Sequence, residues 1–163
     1  EAYWEMSETV RIDPSNIDAR LRYGTTSAAV GAFDLSFEQA NAVLELDSDN
    51  PRAFMLRGQA NEQLGKLDLA EEDLRSAVLS EPDAAAFKFL LAGFYERQSE
   101  HDKAEAAYRE VVATEKSYLG LSSLVRVVLR DEDRRAEIGP MLVELIELAD
   151  VAPTEPLAGG FFF

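Results

Sequence analysis

From Phe54 to Leu64 and again from Leu67 to Leu79, apolar residues recur at intervals of three and four, with Gly65-Lys66 as the break between the two runs. That spacing predicts two helices joined by a tight turn. The same pattern returns along the chain with a fixed period of 34 residues. Gly24, Gly58 and Ala92 fall 34 apart, as do Gly31, Gly65 and Ser99, then Ser36, Ala70 and Ala104, and finally Pro14, Ser48 and Pro82. The small residues have a mechanical reason, since a side chain larger than Ala or Gly would hold two closely crossing antiparallel helices apart. Gly58 against Ala70 and Ala77 reads as that crossing, while Phe33, Leu67, Leu74 and Tyr108 are expected to fill the space between one hairpin and the next.

The period, the small columns, the turn glycine and the closing proline resemble the tetratricopeptide repeat family. Residues 51–84 carry Gly58, Gly65, Ala70, Leu74, Ala77 and Pro82 in the family's columns. Residues 85–118 carry Leu91, Ala92, Tyr95, Ala104 and Tyr108, and residues 17–50 carry Tyr23, Gly24, Gly31, Phe33 and Ser36. The resemblance implies an all-α fold, a right-handed superhelical solenoid of antiparallel helix pairs. Residues 1–16 read as the second helix of a repeat whose first helix is missing, so the chain is expected to begin in mid-repeat. Residues 119–152 read as a degenerate capping pair, with Arg126 in the small column and a second helix delayed by Gly139-Pro140. From Met141 to Leu148 that helix is expected to turn Glu144 and Glu147 outward, as suits a cap with one solvated face. Residues 153–163 read as an extended tail.

Departures from the family pattern are concentrated in the helices. Arg20 and Lys88 stand where a large apolar residue is preferred, Arg57 and Asn61 interrupt columns expected to be buried, and Lys116 replaces a closing proline.

Charge and composition narrow the function classes. The chain of 163 residues carries 31 acidic against 16 basic side chains, a formal net charge of −15, with no cysteine and one histidine. Thiol chemistry and cysteine-type zinc sites fall away, and a histidine metal site is improbable. Phosphate backbones and anionic membranes are poor partners for such a surface. No run approaches the roughly 18 apolar residues of a membrane span. Carboxylate pairs such as Glu71-Glu72 and Asp131-Glu132-Asp133 lie in charge runs that read as solvated faces, and His101 reads as a filler between helices. No catalytic residue, cofactor or metal is assigned, and the compartment, cytoplasm or periplasm, is left open.

Binding is the expected activity. In the family the groove is lined mainly by the first helix of each repeat, and the resemblance places Leu21, Met55 and Phe89 there as an apolar ladder. Thr25, Gln59 and Gly93 stand beside them, with Arg52, Glu62, Glu96 and Arg97 at the margins. A groove of this kind accepts a peptide or helix of another protein, anchored by apolar side chains and favoured if basic. The basic clamp that some family members use against paired terminal carboxylates is absent, because Leu21, Thr25, Leu56, Ala86 and Leu90 occupy its positions. Phe161, Phe162 and Phe163 suggest self-association through the tail, and Tyr3 and Trp4 a second sticky surface. The rival function is an assembly segment of a larger bacterial secretion or polysaccharide-export machine.

Overall fold

The computed structural model describes residues 2–151, and the described residues are helical with short connections. The order is α1 (Ala2–Ile12), α2 (Ile17–Ala29), α3 (Phe33–Leu46), α4 (Pro51–Gln63), α5 (Leu67–Ser80), α6 (Ala85–Arg97), α7 (His101–Thr114), α8 (Tyr118–Val128), a 3₁₀ segment (Glu132–Glu137) and α9 (Ile138–Val151). The chain divides into two compact units, Glu1–Pro82 and Asp83–Phe163.

Local chemistry explains why the helices of each unit start and stop where they do. The Asn16 side chain accepts the Ala19 N–H at 2.9 Å and the Asn50 side chain accepts the Ala53 N–H at 3.0 Å, which caps α2 and α4. Pro51 then occupies the first turn of α4, where its missing N–H costs nothing. The first helix of each hairpin ends on a left-handed residue: Gly31 at φ 79°, Gly65 at φ 74° and Ser99 at φ 61°. In all three, the residue after it donates back to the carbonyl five positions earlier, at 2.8 Å for Ala32 and Lys66 and 2.9 Å for Glu100. These bonds satisfy carbonyls that the helix end leaves open.

In unit 1 the hairpins close through small residues. A Cβ added at Gly24 would lie 3.2 Å from Gln39 Cβ and 3.4 Å from the Ser36 carbonyl oxygen across its own hairpin and 2.6 Å from Leu56 Cδ2 of the next, and one at Gly58 would lie 3.0 Å from Leu74 Cγ and 3.2 Å from the Ala70 carbonyl oxygen. The Gly58 crossing thus meets Ala70, as the sequence suggests, but with Leu74 and Asp73 rather than Ala77 as its other nearest neighbours. Above it, Leu21, Ala40, Val43, Ala53 and Leu56 form a core that joins α2, α3 and α4, with Ile17 and Leu44 packed against it. Each large side chain buried there contributes about 1.5–3 kcal/mol.

Unit 2 is built on aromatics and on α8. Phe87, Phe94, Tyr95 and Tyr108 are buried, with the Phe94 and Tyr95 rings edge to face at 5.7 Å. Helix α8 buries Leu121, Leu124, Val125, Val127 and Val128, so apolar side chains leave it on more than one side.

Several expectations change at helix termini and in the last pair. Leu67 and His101 begin α5 and α7 and are exposed rather than filling space between helices, whereas Phe33, which begins α3 in the same column, is half-buried. Arg126 is exposed, as a guanidinium cannot occupy a close crossing; the tight approach of α8 is instead at Gly120, where an added Cβ would be 3.0 Å from Val111 Cγ1. Gly139 and Pro140 lie in the first turn of α9 and do not delay it, the 3₁₀ segment having filled the space before. Glu147 of α9 is exposed, as expected, but Glu144 is half-buried and paired with Lys116, and Leu142, Val143 and Ile146 share the exposed side with Glu147.

Candidate functional site

The residues singled out for binding fall on α2 and α4 in unit 1 and on α6 in unit 2. Leu21 is 3% exposed and sits in the α2–α3–α4 core, so it offers no side chain to a ligand. The apolar ladder therefore loses its first rung. A position that is apolar in three repeats does not reveal which copy its neighbours cover.

Met55 is half-buried, as are Gln59 and Glu62 on the same helix, and Arg52 is exposed. The Arg52 guanidinium stands 3.9 Å from the Asp18 carboxylate, which also pairs with Arg22 at 2.6 Å. Exposed pairs of this kind are worth about 0–1 kcal/mol, so they can be exchanged for a ligand's charges at little cost. Thr25 is exposed, and its hydroxyl donates to the Leu21 carbonyl at 2.8 Å. The remaining candidate residues of unit 1 thus combine one apolar side chain with hydroxyl, amide, carboxylate and guanidinium groups.

Beneath them lies a polar knot that explains two of the family departures. Asp73 of α5 is buried and accepts from Arg57 Nη2 at 2.7 Å, from Arg57 Nε at 3.1 Å and from Asn61 Nδ2 at 2.9 Å. Arg57 also donates to Asn41 of α3 at 3.0 Å, so one side chain ties α3, α4 and α5 together. A smaller version exists one repeat earlier, where Arg20 donates to Gln39 at 3.0 Å. Lys88 likewise reaches Thr114 at 2.6 Å. Each cation standing in an apolar column has its own polar partner.

In unit 2 Phe89 is half-buried, its ring edge to face with Tyr108 at 5.6 Å. At Gly93 the place a Cβ would take is 3.2 Å from Arg97 Nη1 and 3.9 Å from the Tyr108 hydroxyl, so the missing side chain lets the Arg97 guanidinium lie close against the helix. Arg97 is exposed. Glu96 is not a marginal residue. Its carboxylate accepts from the Tyr108 hydroxyl at 3.0 Å, from Arg126 at 2.8 Å and from Arg130 at 3.3 Å, and it is largely covered. Burial first, and then the adjacent Glu96 carboxylate, hold the Tyr108 hydroxyl above its ordinary pKa. Arg130 also lies 3.2 Å from His101 Nδ1. The α6 face is therefore fenced by Arg126 of α8, legible in the sequence only as a departure in the small column, and by Arg130 of the turn that follows α8. Arg130 lies one period beyond Glu96, which was the available signal.

Two regions of the tetratricopeptide repeat family model match this chain, at residues 28–78 and 58–118, together more than half its length. The chain belongs to the tetratricopeptide repeat family. Among curated proteins, the peptidyl-prolyl cis-trans isomerase FKBP42 of Arabidopsis thaliana is 33% identical over 66 residues, a stretch covering 40% of this chain and 18% of that protein. The match thus spans less than a fifth of that relative's length. Among solved structures, MamA has a TM-score of 0.77 at 21% identity, with 91% of this chain and 86% of that one covered. MamA 41-end from Desulfovibrio magneticus RS-1 scores 0.76 at 18% identity, covering 93% and 86%. TTC0263, a thermophilic protein of the same repeat type in Thermus thermophilus, scores 0.74 at 19% identity, covering 92% and 82%. Likeness at this identity establishes the fold, an all-α helical solenoid of tetratricopeptide type.

Phe161, Phe162 and Phe163 lie outside the described residues. Trp4 on α1 is 76% exposed. Among the described residues no helix is long and apolar enough to cross a membrane.

Proposed function

We propose that this chain is a non-catalytic scaffold that binds a segment of another protein on the first helices of its repeats. The observation that carries the reading is that Met55 and Phe89, one period apart in the sequence, are each half-buried on the first helix of a hairpin in their own unit. The family membership supports protein or peptide as the partner class. Met55 serves as the apolar anchor in unit 1, with Arg52, Gln59, Glu62 and Thr25 setting register by charge and hydrogen bonding. Phe89 serves in unit 2, where Gly93 seats the Arg97 guanidinium close to the helix and Arg97 provides charge. Glu96 keeps Arg126, Arg130 and Tyr108 in place and does not select charge itself. The net charge of −15 speeds encounter with basic partners at low salt.

Peptides selected from a displayed random library on the wild-type chain, followed by calorimetry with Met55→Glu and Phe89→Glu, test this. A charge placed in an apolar contact should weaken binding about tenfold or more in at least one of the two variants. Selected peptides that bind both variants with wild-type affinity, while circular dichroism shows both folded, reject the reading.

A further inference from the structure

Helix α9 carries two apolar stripes. Ile138 is buried and Met141, Leu145 and Leu148 are half-buried, a 3-4-3 spacing that seats one side of the helix in unit 2. On the other side Leu142 is 47% exposed, Val143 58% and Ile146 64%. The rotation of the helix is fixed twice over, by burial of Ile138 and by the ion pair of Glu144 with Lys116 at 2.7 Å. The exposed stripe is therefore not an alternative core face turned outward by chance. A helix that is apolar around most of its circumference is one covered on more than one side.

We propose that the Leu142–Val143–Ile146 face of α9 docks an amphipathic helix whose apolar stripe is bordered by Lys or Arg. The spacing of four between Leu142 and Ile146 is the ridge that packs into the groove of a second helix. Charge selects the partner. The charged residues of α9 are Glu144, Glu147 and Asp150, all acidic, and Glu147 is exposed beside the stripe. A second copy of the chain would bring the same acids and another net charge of −15 against them. A basic-margined helix meets both the stripe and its border.

The test uses the whole chain and a synthetic Leu/Lys peptide of helical periodicity, titrated by calorimetry beside a peptide of the same composition with the periodicity scrambled. The wild-type chain should prefer the periodic peptide at least tenfold, and Ile146→Ala should weaken it in part. Ile146→Glu separates the forces cleanly, because it adds a negative charge while removing the apolar contact. Docking as proposed predicts a loss of about tenfold or more, whereas simple charge attraction predicts equal or tighter binding and would overturn it. Introduced on a Met55→Glu background, Ile146→Glu should cause the same fold loss as it does in the wild-type chain, so failure of this proposal is distinguishable from failure of the reading given above for α4. Equal binding of the scrambled peptide overturns the proposal. So does binding that appears only after residues 152–163 are removed, since the chain's own segment would then be the occupant. A wild-type dimer in sedimentation that Ile146→Glu makes monomeric would assign the face to a second copy instead.

Discussion

At positions 57, 61 and 73 the α4–α5 hairpin places Arg, Asn and Asp. One period later, at 91, 95 and 107, the α6–α7 hairpin places Leu, Tyr and Ala. The same hairpin is thus closed once around a buried ion pair and once around aromatic packing. The local signals run the other way. Helix α4 has a capping Asn50, a first-turn Pro51 and a left-handed Gly65, whereas α6 has Ala84 and Ala85 and ends on a left-handed Ser99. The hairpin with the expensive interior has well-specified ends, and the one with a large apolar interior tolerates poor ends. Capping, turn chemistry and burial each contribute energies of similar size, so a repeat can lose one and keep its shape.

The largest effect should come from cutting the knot. Asp73→Ala strands Arg57 and Asn61, and Asn61 already has one buried oxygen without a hydrogen bond. We expect a loss of about 3 kcal/mol in urea unfolding, the low end for a broken buried pair because the Arg57 side chain remains 24% exposed. Replacing all three residues by their counterparts, Arg57→Leu with Asn61→Tyr and Asp73→Ala, should restore most of that loss or exceed wild-type stability, since apolar substitutes for a buried pair are often stabilising. A triple variant no better than the single one would show that the two interiors are not interchangeable.

Much of the fold is legible in the residues themselves. Gly58 opposite Ala70 announces a crossing, and Gly31, Gly65 and Ser99 mark three turns at one interval. What escapes the sequence is whatever depends on residues far along the chain. Leu21 looks like Met55 until Ala53 and Leu56 are seen to cover it. Glu96 looks like a free margin until Arg126 and Arg130 arrive from the next hairpin. The facing of α9 was legible only in part: Glu147 is exposed as read, but Glu144 is drawn in by Lys116, a partner far along the chain, and apolar residues stand on both sides of the helix.

Ion pairs mark a second contrast, between the buried pair of α4–α5 and a cluster on α7 whose central Glu105 is largely covered but whose Arg109 and Glu137 stand open to solvent. Glu105 accepts from Arg134 at 2.6 and 2.8 Å and from Arg109 at 2.9 Å, while Arg134 also donates to Glu137 at 2.8 Å. This cluster ties the 3₁₀ segment to α7, and that segment contributes no buried residue. The Arg134 hydrogen bonds chiefly hold the Glu105 carboxyl at about 2, below its usual 4.5, with Arg109 adding to the effect against the opposing cost of burial. Because the folded value is depressed, the tether is fully present above the unfolded value and is lost as pH falls from about 5 toward 2. Amide exchange in residues 132–137, taken relative to the intrinsic rate at each pH, should rise across that window, and 0.5 M salt should loosen the same segment at pH 7 through a Debye length of about 4 Å. The Arg57–Asp73 pair, being covered, should respond little to that salt; equal responses would erase the contrast.

The smallest effects concern the ends of α6, and they test whether the poor local signals there cost anything. Ala84 already has the backbone of a capping residue, φ −84° and ψ 100°, close to the φ −70° and ψ 111° at which Asn50 caps α4. Ala84→Asn should therefore add about 1 kcal/mol without any rearrangement. Ser99 holds a conformation that costs a non-glycine residue about 1–2 kcal/mol, against the roughly 0.5–1 kcal/mol that glycine loses in chain entropy. Ser99→Gly should gain the difference, about 0.5–1 kcal/mol by the same figures. The reciprocal changes Asn50→Ala and Gly65→Ser should lose corresponding amounts from unit 1. If urea midpoints show the α4 substitutions costly but the α6 substitutions neutral, then α6 is held by its aromatic contacts alone. Local capping would in that case matter only where the interior is polar.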